Sequence, residues 1–205
     1  MAWNTDRTKA LLLGAATEEF SEKGLAGARV DRIAAAAGVN KERIYQYFGK
    51  KDELFDAVLA AELARVMTEV PIEGHGAAAF GDYAGRLFDR HTTDSALPRL
   101  LFWEGLERGR NTVDRATRAD HCATKVDQVM KVLPGVDRTD AADLVITVVT
   151  LCDGWTVVPQ LDALLAGDTP DRADRRRAFI VRTATLLAEA LLAESPQGSA
   201  VAAGA

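Results

Sequence analysis

At 205 residues, with 48% apolar but only 6% aromatic residues, the chain is long enough for one well-packed core and a small second unit, and its alanine and leucine content favours helices over sheets. The net charge of −5 argues against indiscriminate nucleic-acid binding, yet residues 23–51 carry +5 and the remainder −10. A basic head on an acidic body suits a site-directed DNA binder, because the repulsion of the body limits unproductive contact.

Residues 1–4 are expected to fray, and Thr5 or Asp6 caps a first helix that runs to about Lys23, where Gly24 stops it. Leu12, Leu13, Ala16 and Phe20 form its inward face, while Lys9 and Lys23 are candidates for backbone contacts. The stretch 27–54 organises the chain. Its first half, 30–37, repeats Val30, Ile33, Ala34 and Ala37 at helical spacing, and the small alanines admit a neighbouring helix. Gly38 ends it in the left-handed region open to glycine. Asn40 is placed to cap a second helix at 41–48.

In that second helix Ile44 and Phe48 share an inward face, whereas Glu42, Arg43 and Gln46 lie opposite and Lys41, Tyr45 and Tyr47 flank them. Every side chain able to bond a base edge or a phosphate is outside the buried stripe, as in the recognition helix of a helix-turn-helix. Gly49 breaks the helix. Lys50 and Lys51 precede a third run, 52–70, in which Leu54, Phe55, Val58, Leu59, Leu63 and Val66 make an apolar stripe shared between head and body. A lysine pair at a helix entrance opposes the macrodipole, and a phosphate partner explains it.

After Pro71 and the Gly74-His75-Gly76 break, the body reads as further helices. Residues 77–91 carry Phe80, Tyr83, Ala84, Leu87 and Phe88 inward, and 97–108 carry Leu101, Phe102 and Leu106. Residues 113–133 carry Ala116, Ala119, Ala123, Val126, Val129, Met130 and Leu133; Thr139 or Asp140 opens an apolar segment to about 165; and 171–194 form the last helix. Its cationic face is Arg172, Arg175, Arg176 and Arg182, and its apolar face includes Phe179, Ile180, Leu186 and Leu187. The last two helices are more apolar than a monomer needs, which suggests a four-helix interface with a second copy.

Within the body, Tyr83, Phe88, His91, Phe102, Trp103, His121, Met130, Cys152 and Trp155 are candidate lining for a pocket that takes a moderately sized, largely apolar molecule. Asp153 stands out inside an apolar helix, where a carboxylate needs a partner, solvent or a ligand's donor. Cys122 and Cys152 are far apart and in no paired spacing. The three histidines have no metal-binding spacing, and no nucleophile elbow, phosphate-cradling loop or paired catalytic carboxylates occur, so neither a metal, a cofactor nor an enzyme is indicated. No signal peptide or membrane span is evident, which points to the cytoplasm.

The set Ile33-Ala34, Ala37-Gly38-Val39, Lys41, Ile44-Tyr45, Tyr47-Phe48, Lys51 and Leu54, with Phe20 and Gly24 upstream, resembles the TetR family of transcriptional regulators. The resemblance covers about the first quarter of the chain. It implies an all-α fold, a homodimer on a palindromic double-stranded DNA operator, usually repression, and release when a small-molecule effector enters the C-terminal domain. Carried over by position, the DNA-contacting residues are Arg29, Lys41, Glu42, Arg43, Tyr45, Gln46, Tyr47 and Lys51. Two positions depart from the family's pattern. Ala28-Arg29 stands where Ser or Thr usually caps the first motif helix, at a cost of about 1 kcal/mol, and Glu42 stands where a small residue is common.

The expected organisation is therefore a three-helix DNA-binding head at 1–51, a ligand-binding and dimerisation domain at 52–195, and a disordered tail at 196–205. An alternative is a helical small-molecule binding protein or enzyme whose three-helix head is only structural. An activator, or a regulator without an effector, shares the same DNA chemistry.

Overall fold

The computed structural model describes residues 2–111 and 115–195. Among them are ten helices and no strand. In chain order these are α1 (Ala2–Gly27), α2 (Val30–Ala37), α3 (Glu42–Phe48), α4 (Lys51–Glu69), α5 (Gly76–Thr93), α6 (Ala96–Arg108), α7 (Arg115–Val132), α8 (Arg138–Val157), α9 (Pro159–Ala166) and α10 (Arg172–Glu194). Met1, Val113 and the tail at 196–205 lie outside the described residues. The helix α1 begins at Ala2, ahead of the caps expected at Thr5 or Asp6.

The chain forms two compact units, one of Met1–Val66 with Ala96–Arg115 and one of Met67–Ser95 with Ala116–Ala205. The sequence reading placed its break at residues 51 and 52. The contacts instead divide the chain within α4, because the stripe of Leu54, Phe55, Val58, Leu59 and Val66 is buried without interruption from the start of that helix. They also assign α6 to the first unit.

The first unit buries Leu12, Ala16 and Phe20 of α1, Ile33 and Ala34 of α2, Ile44 of α3, and the α4 stripe. Phe20 and Phe55 meet edge to face with centroids 5.2 Å apart, a geometry that adds about 0.5–1.5 kcal/mol to their burial. Leu63, expected inward, is only half-buried; Glu62 is buried there, paired with Arg65.

Gly24 breaks α1 where expected, at φ 70°. A side chain there would meet the Trp103 ring at 2.8 Å and the Glu107 carboxylate of α6. The same end of α1 is gripped through backbone groups: Arg99 and the Trp103 indole donate to the Ser21 carbonyl at 2.8 and 3.2 Å, and Glu107 accepts from the Ala26 amide at 2.9 Å. The buried face of α6 is consequently Leu97, Pro98, Leu100 and Glu104. Leu101 and Phe102, read as inward, are half-buried, and Leu106 is 77% exposed.

In the second unit α10 packs along α5, where Gly81 and Gly85 bring the backbones close enough that a side chain at Gly81 would stand 3.1 Å from the Val181 carbonyl oxygen. Phe80, Tyr83, Ala84, Leu87 and Phe88 are buried as expected. On α7 the buried apolar residues are Val126, Val129 and Val132, followed by Leu133 just past its end; Ala116 and Ala119 are exposed. The apolar segment expected to run from 140 to 165 is two helices. Asp137 caps α8 by accepting from the Thr139 and Asp140 amides, and Pro159, which has no amide hydrogen to continue the ladder, starts α9 after an 85° bend.

Candidate functional site

The candidate DNA-facing surface is assembled on α3. Ile44 is fully buried and anchors the helix, while Glu42, Arg43, Tyr45 and Gln46 are exposed and Lys41, Tyr47 and Phe48 are half-buried. Asn40 accepts from the Glu42 amide at 3.0 Å, the capping bond expected of it. Gly38 closes α2 in the left-handed region, its amide directed at the Ala34 and Ala35 carbonyls.

No side chain at Arg29 caps α2, but the amide of Arg29 itself is held from another helix. Glu19 of α1 accepts from the Arg29 amide at 2.8 Å and from the Arg32 guanidinium at 2.6 and 2.8 Å. Burial raises the Glu19 carboxyl, but the hydrogen bonds from Arg32 and the Arg29 amide outweigh it and leave the group below its ordinary value. No local pattern in the sequence signals this bond, because the two residues are ten positions apart on different helices.

The polar groups of this surface hold one another. Arg43 donates to the Gln46 side-chain oxygen at 2.9 Å and to the Tyr47 hydroxyl at 3.4 Å. The Arg43 guanidinium and the Lys9 ammonium lie 5.9 and 5.7 Å from the centre of the Tyr47 ring. Lys41 pairs with Asp31 at 2.7 Å, and that hydrogen bond lowers Asp31 and raises Lys41. Lys51 donates to the Ala28 and Ala26 carbonyls at 3.2 and 3.4 Å and so braces the turn that enters α2. At the start of α4 the Glu53 carboxylate folds back to accept from the Lys50 amide at 2.5 Å, which offsets the lysines beside the positive helix end.

The candidate pocket residues divide between the units. Phe102 and Trp103 belong to the first, on α6. The second contains the rest, with His121 and Met130 half-buried on α7. Tyr83, Phe88 and His91 are buried on α5, and Cys152 on α8. Phe88 meets Trp155 with centroids 5.7 Å apart, and the Cys152 thiol contacts the Ala84 carbonyl at 3.7 Å.

Asp153 finds its partner in His91, with Nδ1 and Oδ1 2.7 Å apart and both side chains buried. The contact lacks the alignment of a hydrogen bond, and Nε2 of the same ring has no partner among the described residues. Burial, reinforced by Asp153, pushes the Cys152 thiol up to about 12 and holds the Tyr83 hydroxyl above its ordinary value. Neither is an acid or a nucleophile near neutral pH.

Sequence reasoning gave Lys125 no role, yet it is buried. Its ammonium donates to the Val70 carbonyl at 2.6 Å and lies 5.1 Å from the Tyr83 ring centre. Burial, with the charge of Arg86, lowers it to about 8. Arg86 donates to the Pro71 carbonyl at 2.9 Å and Gln128 accepts from the Ile72 amide at 3.2 Å, so three side chains fix the segment that follows α4.

Comparison with known proteins agrees with this arrangement. Residues 12–58 match the family model described as bacterial regulatory proteins, tetR family, and residues 80–185 match that of the tetracyclin repressor-like C-terminal domain. The HTH-type transcriptional repressor SCO4008 of Streptomyces coelicolor is 38% identical over 187 residues, which span 89% of this chain and 96% of that one. The HTH-type transcriptional repressor NicS of Pseudomonas putida is 43% identical over 58 residues, 28% of this chain and 27% of that one. Among solved structures, the transcriptional regulator SCO4942 of Streptomyces coelicolor has a TM-score of 0.72 and 30% identity, over 88% of this chain and 97% of that one. With both models matched in order and one relative aligned over nearly its whole length, the chain belongs to the TetR family and is a DNA-binding transcriptional regulator.

Proposed function

We propose that the protein is a ligand-responsive repressor that binds a palindromic operator as a homodimer in the cytoplasm, without catalysis. The observation that carries the reading is the face of α3, where Ile44 alone is fully buried and every hydrogen-bonding side chain points away from the core. Lys41, Glu42, Arg43, Tyr45 and Gln46 approach base edges, while Arg29, Tyr47 and Lys51 hold phosphates. Repression is inferred from SCO4008, a repressor similar over nearly its full length.

A homodimer is supported by apolar side chains that α8 and α10 leave in solvent, with Ile146 63%, Phe179 57% and Leu186 54% exposed. A two-fold axis through such faces would place two recognition helices on successive turns of a palindrome. Ligand response is supported by the buried His91–Asp153 pair, whose unpartnered ring nitrogen a bound molecule would satisfy.

The test is selection of bound genomic fragments by the purified protein at about physiological salt, which suppresses non-specific binding. Recovery of one short palindrome is the expected result. A folded, dimeric protein that enriches no sequence would overturn the reading and leave a helical small-molecule binding protein in its place.

A further inference from the structure

We propose that the groove between the end of α8, α9 and the start of α10 is a binding site for a compact amphipathic carboxylate. The groove exists because α8 cannot continue. Val158 leaves helical geometry and Pro159 restarts the chain at 85° to the previous axis, opening a cavity of about 260 Å³. Its floor includes Gly154, where a side chain would meet nothing within 4 Å. That volume is at or just below the small end of ligand pockets, about 300 Å³, and fits one fused ring system or a short alkyl chain.

The walls are of two chemistries. Trp155, Val158, Leu161 and Leu165 are apolar, and the two leucines are more than half exposed, an unfavourable placement that a covering molecule would relieve. The polar part of the lining is Asp162, Arg172 and Arg176. Arg172 stacks over the Trp155 ring at 5.4 Å and pairs with Asp162, yet its Nε is buried with no acceptor among the described residues. Arg176 spends one nitrogen on the Leu151 carbonyl at 3.2 Å. With one carboxylate against two guanidiniums the groove has a surplus positive charge, and both cations have N–H groups to give. A carboxylate takes the guanidinium fork on two oxygens, and a ring or chain attached to it covers Trp155 and the leucines. A cationic ligand would meet two like charges.

As a binding site the groove stands independently; as the effector site it rests on the ligand-responsive reading above. Naphthoate, titrated calorimetrically into the full-length protein without DNA, is the probe, with naphthylmethylammonium as its charge-reversed counterpart. Saturable binding of naphthoate is expected, at least tenfold tighter than that of the ammonium. Arg176→Gln should weaken it at least tenfold, and Gly154→Leu, which fills the floor, should abolish it while the thermal melt is retained. Equal binding of both probes, no saturation, or full affinity in Gly154→Leu would overturn the proposal. So would dissociation of the oligomer by Gly154→Leu, which would assign the groove to a contact between copies. Naphthoate binding that leaves operator retention unchanged would support the site and remove only its effector role.

Discussion

At the scale of single residues, the proposed division of α3 and its neighbours into base readers and phosphate holders can be tested side chain by side chain. Gln46 directs its oxygen at Arg43, which has only donors. The pair therefore turns N–H groups outward, and its bonds must be retained or exchanged when a base is read. Gln46→Ala should change which sequence is recovered in a selection, whereas Lys51→Ala should weaken binding to all sequences and lower the slope of log K against log salt by about one. An unchanged preference in Gln46→Ala would refute the register assigned to α3.

Glu19 sets a second prediction at this scale. Because its carboxyl is held below its ordinary value in the folded chain, the unfolded chain binds the proton first. Its contribution is complete above the ordinary value of 4.5 and lost as pH falls through the folded one. Glu19→Gln should cost about 1 kcal/mol in denaturant melts at pH 7, and the difference from the parent should shrink below pH 4.5. Neither partner of Glu19 is legible in the sequence, which shows an uncapped helix; tertiary structure brings a carboxylate from α1 to the amide at its start.

At the scale of elements, most helices could be read from periodicity and stop signals. Gly24, Gly38 and Gly49 end or break helices where glycine was expected to, and the α5 face is the one that spacing gave. Readings failed where an element's environment, not its own pattern, decides burial. The inward face of α6 is set by its docking on α1, so Leu106 points to solvent although it continues an apolar spacing. Likewise the apolar segment expected to run on to about 165 turns through 85° where Pro159 starts α9, a direction that the apolar pattern alone does not set.

The α5–α10 pair yields a packing prediction. Gly81→Ala should destabilise by about 1–3 kcal/mol, since the new methyl meets Thr185 and the Val181 carbonyl. Gly154→Ala, with open space around it, should instead gain up to about 1 kcal/mol from the helical backbone. Equal effects in denaturant melts would mean that the two helices are not held at this separation.

Lys125 links α7 to the segment after α4 at a cost that depends on pH. Its folded value of about 8 lies below its ordinary 10.5, so between these the unfolded chain holds more protons and stability rises with pH. Lys125→Met keeps the length of the side chain and removes the buried charge. It should match or exceed the parent at pH 7, and the parent should gain on it as pH rises from about 8 to about 10. Thermal melts of both proteins across that range decide the matter.

At the scale of the whole molecule, charge and apolar exposure are unevenly distributed. The basic segment at 23–51 includes the proposed recognition surface, and the acidic remainder includes helices with uncovered apolar side chains. Replacing Phe179 and Leu186 together by glutamate should convert the proposed dimer to monomers, read by sedimentation, with little effect on chain folding because both side chains are already in solvent. Specific DNA binding should fall with it, since one half-site alone engages half the contacts. A double variant that still sediments as a dimer would place the interface elsewhere.

The grip of α6 on α1 also bears on how such regulators can be recombined. Residues 96–115 are separated in sequence from the rest of their unit by residues 67–95, so a hybrid regulator made by one crossover after residue 66 would inherit Gly24 from one parent and the Trp103 and Glu107 that demand it from the other. Exchange of DNA specificity between relatives that keeps this contact intact therefore takes three junctions, or substitutions confined to α3.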